Sequence, residues 1–310
     1  MFLGCAFGVG LLTPSSFMSA AVLSAGSLVV VVGLLDDRFE LSPYARLTAH
    51  LAAALMVITS SSDLTIASLG SPWGNPIQFS AIGASAFTCL AIVGAINAFN
   101  MLDGMDGLAG SMAFVALLAL ACVASFNADT TLAGVAMVSS GAVLAFLIFN
   151  IPAAYNRRFR CFMGDSGSTL LGFLLACLCI SASQGDGPKI SPTTALWFVG
   201  IPLYELLWTT LRRLLKGKSP FYPDRAHFHH KLLDAGFGVR GAFFVLICIG
   251  VLCAGVGLVI HGFEVSDRVS FLSWLGTGLG VVVLMHNARV PLVFIPERFR
   301  RSKVVGPETA

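Results

Sequence analysis

Asn97-Ala98-Phe99-Asn100-Met101-Leu102-Asp103-Gly104-Met105-Asp106-Gly107 is a short polar stretch set between two long apolar runs, about residues 81–100 and 107–126. A bilayer crossing needs roughly 20 apolar residues, and both runs have that length and composition. Working outward, similar runs cover about 17–35, 45–61, 131–151, 168–185, 193–211, 241–261 and 268–288, with 45–61 the shortest. The expected fold is all-α and polytopic, with about nine full transmembrane helices and a partial helix at residues 1–12. Residues 1–12 carry no basic region and no A-x-A cleavage site, so they read as part of a span rather than a signal peptide. Residues 1–290 read as one integral-membrane domain and residues 291–310 as a cytoplasmic tail.

Composition agrees with this reading. The 310 residues are 56% hydrophobic and 11% charged, against about 25% charged in soluble domains. A net charge of +3 gives no reason to expect nucleic acid. The 8 cysteines form no C-x-x-C pair and mostly lie in apolar runs, which makes them small core residues rather than metal ligands or disulfides. No internal repeat or low-complexity segment is present.

Basic residues orient the chain. With the spans threaded alternately, all 19 Lys and Arg except Lys189 and Arg268 fall on one side. That side is expected to be cytoplasmic. It also receives four polar motifs: Leu35-Asp36-Asp37-Arg38, the 97–107 stretch, Phe162-Met163-Gly164-Asp165-Ser166-Gly167-Ser168, and Asp224-Arg225-Ala226-His227-Phe228-His229-His230. Nothing in the threading forces this coincidence, and carboxylates at membrane depth are costly and usually functional.

Each motif carries its own chemistry. Adjacent Asp36 and Asp37 repel, and the proton affinity of one rises unless a cation lies between them. On a helix, the i,i+3 spacing of Asp103 and Asp106 places both on one face, with Asn97 and Asn100 preceding them at the same spacing. Asp165 precedes Ser166 and Ser168, candidate caps at the start of a new helix. An Asp there suits Mg²⁺, which uses one or two carboxylates together with water and phosphate oxygens. His227, His229 and His230 stand in a loop with Arg212, Arg213, Lys216, Lys218, Arg225 and Lys231; no fourth ligand at finger spacing favours zinc, and a diphosphate suits the basic setting better. The isolated His50, His261 and His286 read as structural or interfacial, and Glu205, inside a span, as lining the site or pairing with Arg212 or Arg213. Physics alone reaches a divalent-metal-dependent site for phosphorylated substrates, facing the cytoplasm, among helices able to admit a lipid tail.

The four motifs, in order and at family-like spacing, resemble those of the polyprenyl-phosphate N-acetylhexosamine-1-phosphate transferases. The likeness runs over about residues 1–290 and is nearest the bacterial undecaprenyl-phosphate GlcNAc-1-phosphate transferase branch, with the phospho-MurNAc-pentapeptide transferases as the alternative. The resemblance implies attack by a lipid phosphate on the β-phosphate of a UDP-N-acetylhexosamine, releasing UMP. It implies undecaprenyl phosphate, the UDP-sugar and the lipid bilayer as partners, Mg²⁺ (or Mn²⁺) as cofactor, and is compatible with a homodimer. By the same implication Asp165 and Asp103 bind metal, Asp103 and Asp106 hold metal or nucleotide, and Phe162 stacks on uracil. Arg46, Asn97 and Asn100 line the pocket, while Arg225 and the three histidines grip the diphosphate. For Asp36 and Asp37 both general base and support of the metal site stay open, because a phosphate monoester with second pKa near 6 needs little help to ionise. Family members begin with a further helix and a basic glycine-rich stretch, so this chain is expected to start within the second span and to have little activity if that stretch belongs to the site. Membrane prenyltransferases need Asp-x-x-x-Asp repeats and CDP-alcohol phosphotransferases an Asp-Gly-x-x-Ala-Arg run, and neither is present. A transporter would carry charges in mid-span, where Glu205 is the one clear candidate.

Overall fold

A computed structural model describes residues 20–151, 161–185, 187–222, 224 and 226–286, together with Ala6. Among them are eleven α-helices and no strand, only a single β-bridge between Ser68 and Gln78. The partial helix expected at 1–12, the tail at 291–310, Arg225 and the side chain of His286 lie outside the described residues.

The helices are α1 (Ala20–Phe39), α2 (Pro43–Ser60), α3 (Ala81–Leu102), α4 (Leu108–Phe126), α5 (Thr130–Asn150), α6 (Gly164–Ser183), α7 (Pro192–Phe198), α8 (Gly200–Leu215), α9 (Phe228–Asp234), α10 (Val239–Gly262) and α11 (Asp267–His286). Their starts follow local chemistry. Ser42, Ser80, Asp129 and Ser191 each accept a backbone N–H of the first turn, and Pro43 and Pro192 follow two of these caps. Seven described helices are long and apolar enough to cross a membrane, or eight if α7 and α8, bent 89° at Val199, form one broken span. The expected span at 45–61 is the one missing from that count. It folds as α2, but Tyr44, Arg46 and His50 fill its first turns.

Helix α6 is the central element, with 83% of its apolar window buried. A Cβ on Gly33 of α1 would overlap the backbone of Ser166, and one on Gly172 of α6 would overlap the backbone of Ala95 and Ile96 on α3. Small residues thus let three helix backbones approach closely, a usual way of packing within lipid. Two apolar clusters meet at α6. One gathers α1, α2 and α3; the other gathers the end of α3 with α4, α5, α7, α8, α9, α10 and α11.

The connections sort to two ends. At one end the Gln184 side chain accepts the N–H groups of Ala67 (3.1 Å) and Ser68 (3.2 Å) and donates to the Ser68 carbonyl (3.0 Å). There too Asp267 accepts from the N–H of Ser71 (2.7 Å) and from the Ser191 hydroxyl, and Asn127 donates to the Lys189 carbonyl (3.3 Å). The opposite end holds the four polar motifs. Single cysteines placed at Ser71 and Glu264 should therefore react with an impermeant thiol reagent from one face of sealed vesicles, and those at Lys218 and Phe162 from the other, in a background lacking the native cysteines. Labelling of Ser71 and Lys218 from the same face would refute this arrangement.

Candidate functional site

Asp36 and Asp37 close the last turn of α1 and do different work. Buried Asp36 accepts the Leu41 N–H at 2.8 Å through Oδ1 and Arg46 Nη1 at 2.7 Å through Oδ2. Asp37 accepts the Asp165 N–H at 2.8 Å, with the Ser166 N–H at 3.5 Å from its other oxygen. It caps α6 from a neighbouring helix, where its charge also meets the positive end of the helix dipole. This corrects the expected caps. Met163 precedes the helix without a side-chain bond, and the Ser168 hydroxyl turns back to the Gly164 carbonyl at 3.2 Å. Gly164 makes the interhelical cap possible, since it sits at φ 65° and a Cβ there would lie 2.5 Å from Asp37 Oδ2.

The cap presents Asp165 to α3 and α2. Its Oδ1 accepts from Asn100 Nδ2 at 2.7 Å, and its Oδ2 lies 3.7 Å from Arg46 Nη1. Asn97, nearly a turn back, donates to the Val93 carbonyl at 2.7 Å. Asn97, Asn100, Asp165, Asp36, Arg46 and His50 line one small cleft. Phe162 is 80% exposed and stands outside it, whereas Phe221 lines it and touches Tyr44 of α2 at a ring distance of 6.3 Å.

Asp103 and Asp106 are not on a helical face. Helix α3 stops at Leu102 with Asp103 as its C-cap, and α4 begins after Gly107, at φ 82°. The Gly107 N–H donates to Asn150 Oδ1 at 2.6 Å, which pins the turn to α5. Both carboxylates therefore belong to a tight interhelical loop. Burial first, then the charges of Asp165, Asp106 and Asp37, push Asp103 up to about 7. No three Asp, Glu, His or Cys side chains among the described residues form a ready metal cage. Mg²⁺ does not need one, because water and substrate oxygens complete its shell. The donor set fits that mode: carboxylates that raise one another's proton affinity are relieved by a divalent cation.

The histidine loop folds over the same end. A Cβ on Gly104 would overlap the ring of His229, so that ring takes the space of a side chain between Asp103 and Asp106. His229 is buried, and burial followed by the neighbouring His230 and His227 lowers it to about 4. It enters as a neutral ring rather than a cation. His227 Nδ1 lies 2.8 Å from Glu205 Oε1, and Glu205 Oε2 accepts the Phe228 N–H at 2.9 Å. Glu205, only 1% exposed, thus anchors the start of α9. The expected pairing of Glu205 with Arg212 or Arg213 is not formed, because both guanidiniums go to Asp224, at 2.9 and 3.0 Å. Burial would raise Asp224, but hydrogen bonds from Arg213, the Ala226 N–H and Arg212 outweigh it and hold the carboxyl down at about 2.

Of the lining residues that sequence reasoning missed, two carry aromatic rings. His50 is placed four residues after Arg46 on one helix, a spacing that could have found it. Phe221 reaches the cleft only through the course of a loop, and no periodicity marks it.

Residues 19–183 match the model of glycosyl transferase family 4. That span holds three of the four motifs and stops before the histidine loop. The chain is 35% identical over 259 residues to the undecaprenyl-phosphate alpha-N-acetylglucosaminyl 1-phosphate transferase of Escherichia coli K12, covering 84% of this chain and 70% of that protein. It is 38% identical over 245 residues to the protein of the same description from Salmonella typhimurium, covering 78% and 65%. The corresponding Pasteurella multocida protein is 37% identical over 268 residues, covering 80% and 69%.

Two measurements probe this geometry. Gly104→Ala should displace His229 and lower turnover about 10²-fold, the scale reported when reacting groups are misplaced by about 1 Å; membrane levels near wild type with unchanged turnover would refute the contact. For Asp103, a native value of about 7 lies above the unfolded 3.8. The native state therefore holds the proton more tightly, and the stability this contributes is present below pH 3.8 and lost as pH rises through 7. In EDTA, the apparent melting temperature in detergent should fall between pH 5 and 8, and Asp103→Asn should flatten that fall. An equal slope in both proteins would show that Asp103 is not crowded by its neighbours.

Proposed function

Since this chain belongs to glycosyl transferase family 4, we propose that it transfers N-acetylglucosamine 1-phosphate from UDP-GlcNAc to undecaprenyl phosphate and releases UMP. A phosphate oxygen of the lipid attacks the β-phosphorus of the nucleotide sugar. The bond from that phosphorus to the bridging oxygen breaks, and the electron pair leaves with UMP. The names of the relatives support undecaprenyl phosphate and the transferred N-acetylglucosamine 1-phosphate, and the motif resemblance supports the UDP donor; the observation that carries the site is the meeting of Asp165, Asn100, Arg46 and Asp36 in one cleft, each joined by a hydrogen bond or an ion pair to another member.

The residues divide the work. Arg46 offers a guanidinium to phosphate oxygens while Asp36 holds it in place. With both oxygens of Asp36 engaged, our reading gives it orientation rather than proton abstraction, and the acceptor is largely dianionic at neutral pH in any case. Asp37 acts through α6 by fixing Asp165. Asp165 and Asp103 are the residues that would hold Mg²⁺, and bound there the ion supplies Lewis-acid stabilisation of phosphoryl charge. The neutral His229, with His227 oriented by Glu205, offers ring N–H groups to the diphosphate. Positioning and charge neutralisation dominate such reactions.

The same reading extends to the membrane. It counts α2 as a ninth span, because it runs from the Asp36 end to the Ser68 end of the bundle, and places the basic, motif-bearing end in the cytoplasm of a bacterial inner membrane. An apolar cleft of about 500 Å³, lined by Phe87, Leu90, Gly94, Leu203 and Leu206, suits a polyprenyl tail. It follows α3 as far as Ala95, and the polar cleft takes up the same helix at Asn97.

Membranes carrying the protein should release UMP from UDP-GlcNAc only when undecaprenyl phosphate is supplied, and a panel of UDP-sugars fixes the donor. Asp165→Asn keeps size and hydrogen bonding and removes the charge. It should lower the rate on the order of 10²–10³-fold, as loss of one electrostatic stabiliser does, with protein levels unchanged. If the variant keeps wild-type rate and Mg²⁺ dependence, the metal assignment is wrong and Asp103 or Asp106 replaces it.

A further inference from the structure

One titratable group of the polar cleft has no part in the proposed reaction. His50 lies on α2 one helical turn beyond Arg46, and both side chains line the cleft. Arg46 is engaged by Asp36 and reaches Asp165. His50 is 4% exposed, and its Nδ1 is buried with no hydrogen-bond partner among the described residues. Buried ring nitrogens normally find a partner, because desolvation without a bond is a standing cost. An apolar side chain would fill the same volume on this helix without that cost. The stranded nitrogen therefore marks where an outside group belongs.

Its surroundings narrow the chemistry of that group. Val32, Pro43 and Leu47 give the cleft apolar walls, and Arg46 brings a positive charge next to His50, offset by the carboxylates of Asp36 and Asp165. Asn100 has its amide N–H groups committed to Asp165 and Ser168, and Asn97 donates to Val93. The donors left to a ligand are the ring N–H of His50, the second amide N–H of Asn97 and the remaining N–H groups of Arg46. Such a set, with the charged guanidinium next to the ring, suits a phosphate oxygen.

We propose that His50 is a substrate-binding residue that, with Arg46, seats a phosphate group of one of the two phosphorylated substrates. This rests on the transferase reading above. Two sources share the chemistry, the phosphate monoester of the lipid and the diphosphate of the nucleotide sugar, and kinetics separates them.

The test uses the full chain purified in detergent, with His50→Leu to remove the ring nitrogens and His50→Gln to restore an amide N–H. His50→Leu should raise KM about tenfold or more for one substrate, the loss expected for one hydrogen bond to a charged group. His50→Gln should recover most of that loss. A rise confined to undecaprenyl phosphate assigns the seat to the lipid phosphate, and a rise confined to the UDP-sugar assigns it to the diphosphate. The ligand-free Leu variant should melt at or above the wild-type temperature, since the unpaired nitrogen is gone. Unchanged KM for both substrates, or a loss of kcat alone, overturns the proposal. Should the Leu variant not be recovered folded, His50→Phe keeps a ring without nitrogens and is read in the same way. If wild type turns over no substrate pair, the transferase reading has failed instead. His50 is then judged by stabilisation with inorganic phosphate over chloride: loss of that shift in His50→Leu supports the seat, and an equal shift overturns it.

Discussion

The first N–H groups of helix α6 have to be satisfied by something outside the helix. Asp37 meets that need from α1, and most of the site depends on this bond. It draws the end of α1 onto the start of α6 and requires Gly33 and Gly164, where side chains would collide. It also sets the direction of Asp165, whose carboxylate then reaches Asn100 on α3 and Arg46 on α2. Four helices are located relative to one another by one carboxylate acting as a helix cap. Adjacent Asp36 and Asp37 are tolerated because they face different partners, one a guanidinium and the other a row of peptide dipoles.

The other end of the Asp165 network is set by crowding rather than pairing. Asp103 sits in a loop too short to move away from Asp106, and Asp165 and Asp37 lie near enough to be felt. Such repulsion is a cost in the free protein and becomes an attraction once a cation or a cationic face arrives. The neutral His229 fits this picture, because a charged ring packed against Gly104 would need its own compensation. Charge is kept at Asp224 in the loop and at Arg212 and Arg213 in the last turn of α8, where their pairing organises the loop.

Much of this was legible in the chain. Apolar runs located the spans to within a few residues, and the bias of Lys and Arg together with the polar motifs predicted that the motifs share one end. That threading put Asn100 and Asp165 at the same end, and their contact is a finding of the structure. What remained hidden depended on backbone direction or on long-range choice of partner. The i,i+3 spacing of Asp103 and Asp106 suggested a helix, but Gly104 and the positive φ of Gly107 turn the chain there. Ser166 and Ser168 had the chemistry of caps, yet a carboxylate 128 residues away in sequence took the role. Glu205 had two nearby arginines in sequence and bonded His227 instead, since Asp224 already occupied both. Helix α2 shows the limit of hydropathy: it packs in the bundle while Arg46 and His50, which the cleft needs, dilute its apolar character.

The clamp at Gln184 gives the molecule a fixed length. Its side chain grips Ala67 and Ser68 at one end of α6 while Asp37 grips the other, so neither terminus of this helix is free to fray. The 20 residues between them rise about 30 Å at 1.5 Å each, close to the hydrocarbon thickness of a typical bilayer. A single helix meets a thinner or thicker membrane by tilting, kinking or letting flanking polar residues snorkel. This one holds its length, and any hydrophobic mismatch has to be met by tilting the whole bundle or by deforming the lipid around it. The carboxylate that reaches the polar cleft sits at one end of this fixed length.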